Sequence, residues 1–109
     1  MTTAPDADAP DARPRVAIAY CTQCNWLLRA QWMAAELLQT FPTELGEVAL
    51  LPRTGGAFTI TPGDQLVWDR RTDGGFPDAA ELKRRVRDVI APERQLGGHV
   101  ERGGQGAGD

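Results

Sequence analysis

The chain has 109 residues, of which 41% are hydrophobic and 25% are charged, values typical of a single globular domain. Its formal net charge is −3 at pH 7, and residues 15–96 carry ten acidic and ten basic side chains. A domain without net charge gives no electrostatic reason to bind nucleic acid or an anionic membrane. The sequence also lacks the run of about 18 apolar residues that a membrane-spanning helix needs.

The two ends of the chain differ in composition from the middle. Residues 1–14 are rich in Ala, Asp and Pro, and residues 97–109 hold six of the twelve glycines. We therefore expect a disordered tail over 1–14, a folded domain over 15–96 and a flexible glycine-rich tail over 97–109. The first residues have no apolar core and mostly acidic charges, unlike a signal peptide, so we expect a cytoplasmic protein.

Hydrophobic patterning predicts a strand–helix–strand unit at the start of the domain. Residues 15–20 form a short apolar run with β-branched side chains, which indicates a buried strand. Strong helix formers predict a helix from about Cys24 to Phe41, followed by a second strand over residues 47–51. At helical spacing the predicted core stripe consists of Leu27, Ala30, Ala34, Leu37, Leu38 and Phe41, with Trp26 and Met33 at its edge.

The second half predicts two more strands and a second helix. Residues 57–61 and 65–70 read as strands joined by a turn at Pro62–Gly63, because proline fixes φ and glycine allows a positive φ. A helix then begins near Pro77. The order β-α-β-β-β-α, with a crossover helix between the first two strands, predicts an α/β (or α+β) two-layer sandwich. In it, two helices cover a mixed four-stranded sheet.

The chain's two cysteines, Cys21 and Cys24, form a Cys-x-x-Cys motif between the first strand and the first helix. A helix N-terminus has unpaired N–H groups and the positive end of the helix dipole, which lower the pKa of a nearby thiol. One thiolate can then attack a disulfide and the other cysteine can resolve the product. This position in a β-α-β unit is typical of thioredoxin-like redox motifs, so we predict a redox pair.

Two other roles for the cysteines remain as weaker alternatives. Cysteine also serves as a small buried apolar residue, although two at this spacing in a loop are unusual for packing. Structural zinc requires four ligands, and the single histidine, His99, lies in the glycine-rich tail. We therefore predict no metal site and no bound cofactor.

Three motifs spread over residues 15–96 resemble the SelT/SelW/SelH (Rdx) family in its selenoprotein W-like branch. They are the Tyr20–Cys24 segment YCTQC, the Gly56-x-Phe58-x-Ile60 strand and the segment GGFP over 74–77. The resemblance implies a thioredoxin-like fold, a thiol-based redox role and a cytosolic location. Many relatives carry selenocysteine at the position of Cys24, which points to that sulfur as the nucleophile. Thioredoxins attack with the first cysteine, here Cys21, so the order stays open.

These observations predict a thiol–disulfide oxidoreductase that acts on protein or small disulfides, with glutathione or a thioredoxin system as electron donor. The alternative is a redox-regulated binding module without turnover. Leu28 and Trp32 lie one turn apart on the helix face opposite the predicted core, where they either form an apolar docking patch near the dithiol or are simply scattered surface or unexpectedly buried side chains. Residues 53–56 either bring N–H groups and a cation to the sulfurs or simply form a turn. No nucleic acid or membrane partner is predicted, and the oligomeric state is not predicted.

Overall fold

A computed structural model of the chain describes residues 12–97, so the predicted tails over 1–14 and 97–109 lie almost wholly outside the described residues. The elements within it are β1 Arg15–Cys21, α1 Leu27–Thr40, β2 Glu47–Arg53, β3 Phe58–Pro62, β4 Trp68–Asp69, α2 Arg70–Asp73 and α3 Ala79–Ile90. No helix among these residues has both the length and the apolar character needed to cross a membrane.

The four strands form one mixed sheet in the order β2-β1-β3-β4. β1 and β2 are parallel, whereas β3 is antiparallel to both β1 and β4. The parallel pair is joined by the crossover helix α1, and β2 continues into β3 through a short loop at residues 54–57. This arrangement confirms the predicted α+β, thioredoxin-like architecture with a mixed four-stranded sheet.

The core lies between the sheet and the long helices α1 and α3. Alternate side chains of β1 and β3 point into it, as the two-residue repeat of a strand requires. Fully buried members are Val16, Ile18, Phe58 and Ile60 from the sheet, Ala30, Met33 and Leu37 from α1, Phe41 just after it, and Val86 from α3. The two helices are also joined by an ion pair of 2.9 Å between Lys83 and Glu36.

The buried face of α1 is rotated relative to the prediction. Met33, which was placed at the edge of the stripe, is fully buried, whereas Leu38 is 45% exposed and Leu27 41% exposed. The helix begins at Leu27 rather than near Cys24, and Trp26 is its N-cap. The prediction chose the stripe from the spacing of 100° per residue, which a small rotation of the helix also satisfies. The face that the structure buries includes Ala30, Met33 and Leu37.

The region after β3 also differs from the prediction. The fourth strand was expected over residues 65–70 but contains only Trp68–Asp69, and the chain then winds into the one-turn helix α2, a third helix where two were predicted. The Asp69 carboxylate accepts a hydrogen bond from the Arg71 N–H and caps this turn. A single turn is too short to produce a hydrophobic periodicity, so patterning did not reveal it.

Candidate redox site

The two cysteines lie on either side of a tight turn at the end of β1. Cys21 is the last residue of β1 and pairs in register with Arg53 of β2, and Cys24 lies in the turn that follows. Asn25 has a φ of +61°, in the left-handed region, and redirects the chain toward α1. Both cysteines are free thiols. Cys24 therefore lies before the start of the helix. The helix N-terminus was predicted to lower the thiol pKa, and groups in the surrounding loops take that role instead.

The two thiols have pKa values shifted in opposite directions. The pKa of Cys21 is lowered, chiefly by a hydrogen bond from the Cys24 thiol, although burial acts against this shift. Backbone N–H groups of Gly56, Cys24 and Gln23 add to the lowering. The pKa of Cys24 is raised, first because its thiol donates to Cys21 and then because of burial. Of the two sulfurs, Cys21 therefore has the greater tendency to lose its proton.

The loop between β2 and β3 provides the N–H group that reaches both sulfurs. Its Gly55 and Gly56 have φ values of +73° and +77°, a conformation that other residues adopt at a cost. The Gly56 backbone lowers the pKa of Cys21 and, to a smaller extent, that of Cys24. The Thr22 N–H and hydroxyl both donate to the Arg53 carbonyl, at 2.9 and 3.2 Å, and so tie the cysteine turn to this loop.

Two arginines of α2 hold the glycine loop from its other side. The Arg70 Nε–H donates to the Gly56 carbonyl at 3.3 Å, and the Arg71 guanidinium donates to the Gly55 carbonyl. The positive charge of Arg70 also acts to lower the pKa of Cys24. From the sequence, residues 53–56 were expected either to form a simple turn, the favoured reading, or to bring N–H groups and a cation to the sulfurs. The N–H comes from there, whereas the cation comes from Arg70 in the helix that patterning missed.

Three aromatic rings pack together beside the cysteine turn. Trp26, Phe58 and Phe76 meet edge to face, with ring centroids 5.0 to 6.1 Å apart. The Arg70 guanidinium lies 5.0 Å from the Trp26 ring centroid, and that of Arg29 lies 4.1 Å from the Phe76 centroid. This cluster fixes the start of α1 against β3 and supports the arginine that reaches the sulfurs.

The two sulfurs differ in access to solvent. Cys21 has no exposed surface, and Cys24 is partly exposed. Cys24 is therefore the residue of the pair that a molecule in solution can contact. Among residues 12–97 there is no group of three or more His, Cys, Asp or Glu side chains able to hold a metal ion. His99, considered above as a ligand, lies outside the described residues.

Replacing Gly56 with alanine tests the role of its N–H group. Alanine at Gly56 is strained at a φ of +77°, and its Cβ would lie 3.4 Å from the Arg70 guanidinium, so we expect the loop to relax away from the sulfurs and the pKa of Cys21 to rise. Gly63 is the matched control, because its φ is +59° but nothing lies within 4 Å of an added Cβ. Both substitutions should lower the free energy of unfolding by about 1–2 kcal/mol. If thiolate absorbance against pH is unchanged in Gly56→Ala, the loop does not stabilise the thiolate.

Comparison with known proteins places the chain in a family. The Rdx family model matches residues 15–88. A crystal structure of a Bordetella parapertussis protein has 64% sequence identity and a TM-score of 0.68, covering 70% of this chain and 96% of its own. A selenoprotein W-related protein from Vibrio cholerae has 50% identity and a TM-score of 0.70, covering 72% of this chain and 98% of its own. No curated protein matches the chain. The chain belongs to the Rdx family.

Proposed function

We propose that the chain is a thiol–disulfide redox protein in which Cys21 and Cys24 alternate between a dithiol and an internal disulfide. The observation that carries this proposal is the pair of free thiols in a Cys-x-x-Cys turn at the end of β1, where the neighbouring Cys24 side chain lowers the pKa of Cys21. The thiolate is the reactive form of cysteine in disulfide exchange. Membership of the Rdx family, which is generally associated with redox chemistry, supports the same assignment.

Cys24 is the sulfur that we propose attacks the substrate. Thiolate character favours Cys21, whereas solvent access favours Cys24. We give access more weight, because a sulfur without exposed surface cannot approach a substrate disulfide. Because the two thiols interact, the pKa of the first deprotonation describes the pair and is not assigned to Cys21 or Cys24 alone. Attack by Cys24 therefore requires the remaining proton of the pair to move to Cys21, against the direction in which the two pKa values are shifted.

The reaction then follows ordinary thiol–disulfide exchange. The Cys24 thiolate attacks one substrate sulfur, the substrate S–S bond breaks, and the leaving thiolate takes a proton from solvent. Cys21 loses its proton and attacks the Cys24 sulfur of the mixed disulfide, which releases the second substrate thiol. Two electrons have passed from the dithiol to the substrate. A thiol reductant, glutathione or a thioredoxin system, restores the dithiol, and we place the cycle in the cytoplasm, where such reductants are abundant.

A redox-regulated binding module is the second candidate. The cysteine turn adjoins α1, whose Leu28 side chain is 75% exposed. Closing a disulfide between Cys21 and Cys24 would change the turn directly before this exposed side chain. In that case the oxidation state would control the binding of a partner without substrate turnover.

A single-turnover reaction separates the two candidates. Pre-reduced protein is mixed with excess peptide disulfide whose leaving thiol is coloured, and thiol release is followed over time. A redox protein should release thiol faster than an equal concentration of free cysteine at neutral pH, because its thiolate is stabilised. Release no faster than free cysteine, together with partner binding that depends on oxidation state, would favour the binding module.

A further inference from the structure

An exposed apolar ridge runs along α1 directly after the cysteine turn. Leu28 is 75% exposed and Trp32, one turn further on, is 43% exposed. Together with Leu27, they form a group of large apolar side chains on the solvent side of the helix. Their position next to the dithiol distinguishes them from scattered surface leucines such as Leu66.

Two hollows, one on each side of Leu28, both reach the cysteine turn. The first has a volume of about 490 Å³ and is lined by Tyr20, Thr22, Asn25, Leu27 and Leu28. The second has a volume of about 370 Å³ and is lined by Asn25, Trp26, Leu28, Arg29 and Trp32. Because Asn25 and Leu28 line both, the hollows form one continuous depression, which we call the Leu28 groove. Asn25 directly follows Cys24 in the chain, so the groove adjoins the cysteine turn.

Among the described residues, the one charged side chain that lines either hollow is a cation, Arg29. Arg53, which is exposed, pairs in register with Cys21. The nearest carboxylates in sequence already have basic partners: Glu36 pairs with Lys83 at 2.9 Å. Glu47 lies 3.7 Å from Arg15. An anionic segment would therefore be attracted to Arg29 and Arg53, and no carboxylate of residues 12–97 lines either hollow.

We propose that the Leu28 groove docks an extended, acidic polypeptide segment that carries an apolar side chain close to its disulfide. The apolar side chain would lie against Leu28 and Trp32, and the carboxylates would lie near Arg29 and Arg53. This inference rests on the proposed redox function and names its substrate class. Glutathione disulfide has the negative charge but no apolar side chain to bury, so a polypeptide suits the groove better.

The test compares defined probes in the single-turnover reaction. Three peptides carry one cysteine in a disulfide with the same coloured thiol: one acidic with a leucine beside the cysteine, one acidic with serine there, and one basic with leucine. Glutathione disulfide is the fourth probe. We expect the acidic leucine peptide to react about tenfold faster than the serine peptide. It should also react faster than the basic peptide, by a margin that shrinks with added salt.

Matched variants locate the effect on the protein. Leu28→Ser should remove the advantage of the leucine peptide, while Leu66→Ser, at a 54% exposed leucine in the β3–β4 connection, should leave it intact. Arg53→Gln should slow the acidic peptides by roughly twofold to fivefold. Arg15→Gln, at the other end of the same pair of strands, should not. Leu66→Ser should also react with glutathione disulfide at the parent rate, because Leu66 lines neither hollow.

The outcomes distinguish this inference from the function on which it rests. Equal rates for the three peptides, or no loss of preference in Leu28→Ser, would overturn the docking proposal while glutathione disulfide still reacts. Faster reaction of the basic peptide would also overturn it. If none of the four probes, glutathione disulfide included, reacts faster than with free cysteine, the proposed redox function fails and the docking proposal fails with it.

Discussion

The Cys24→Ser variant is expected to lose single-turnover disulfide reduction down to the background rate of the buffer. Cys24 is the one sulfur of the pair with exposed surface, so its loss leaves a buried thiol that a substrate cannot reach. The measurement is release of the coloured thiol from a peptide disulfide by pre-reduced protein.

The Cys21→Ser variant is the matched comparison and should behave differently. Its Cys24 can still attack, because Cys21 is the main cause that raises the pKa of Cys24 and that cause is removed. The resolving step is lost, so a stable mixed disulfide between Cys24 and the peptide should accumulate and be visible by mass spectrometry. Accumulation of the adduct in Cys24→Ser instead would assign the attack to Cys21.

The Met33→Ala variant is expected to lower the free energy of unfolding by about 2–5 kcal/mol. The Met33 side chain is fully buried between α1 and the sheet, so its truncation leaves a cavity. Leu38→Ala is the control, because Leu38 is half exposed and should cost about 0.5 kcal/mol. Urea denaturation measures both values. If Leu38→Ala were the more damaging of the two, the helix would bury the face that the sequence predicted.

Much of the architecture could be predicted from local patterns in the sequence. The apolar runs of β1 and β2, the turn at Pro62–Gly63 and the long helices each leave a signal within a few neighbouring residues. Crossover connections between parallel strands are right-handed. With that rule, these signals are sufficient to predict the mixed sheet. The rotation of α1 was not predictable in this way, because Met33 and Leu38 both fit helical spacing, and only packing in the folded protein distinguishes the buried Met33 from the half-exposed Leu38.

The candidate site was likewise predictable only in part, because the cysteines form a local motif and the groups around them come from distant parts of the sequence. Cys21 and Cys24 were found from their spacing and their place after the first strand. The N–H of Gly56 and the charge of Arg70 reach the sulfurs only after the sheet has formed and α2 has folded against the glycine loop. No local pattern connects these residues to the motif. The sequence did offer one useful signal, since the paired glycines indicated an unusual loop in this position.

The most direct test of the proposed redox pair is the covalent state of the cysteine turn after one turnover. Pre-reduced protein is allowed to react with one equivalent of peptide disulfide, remaining thiols are blocked, and the digested chain is analysed by mass spectrometry. The account predicts a disulfide joining Cys21 to Cys24 within the same chain, with both substrate thiols released. Recovery of both cysteines as blocked free thiols, or of chains joined to each other through Cys24, would contradict it.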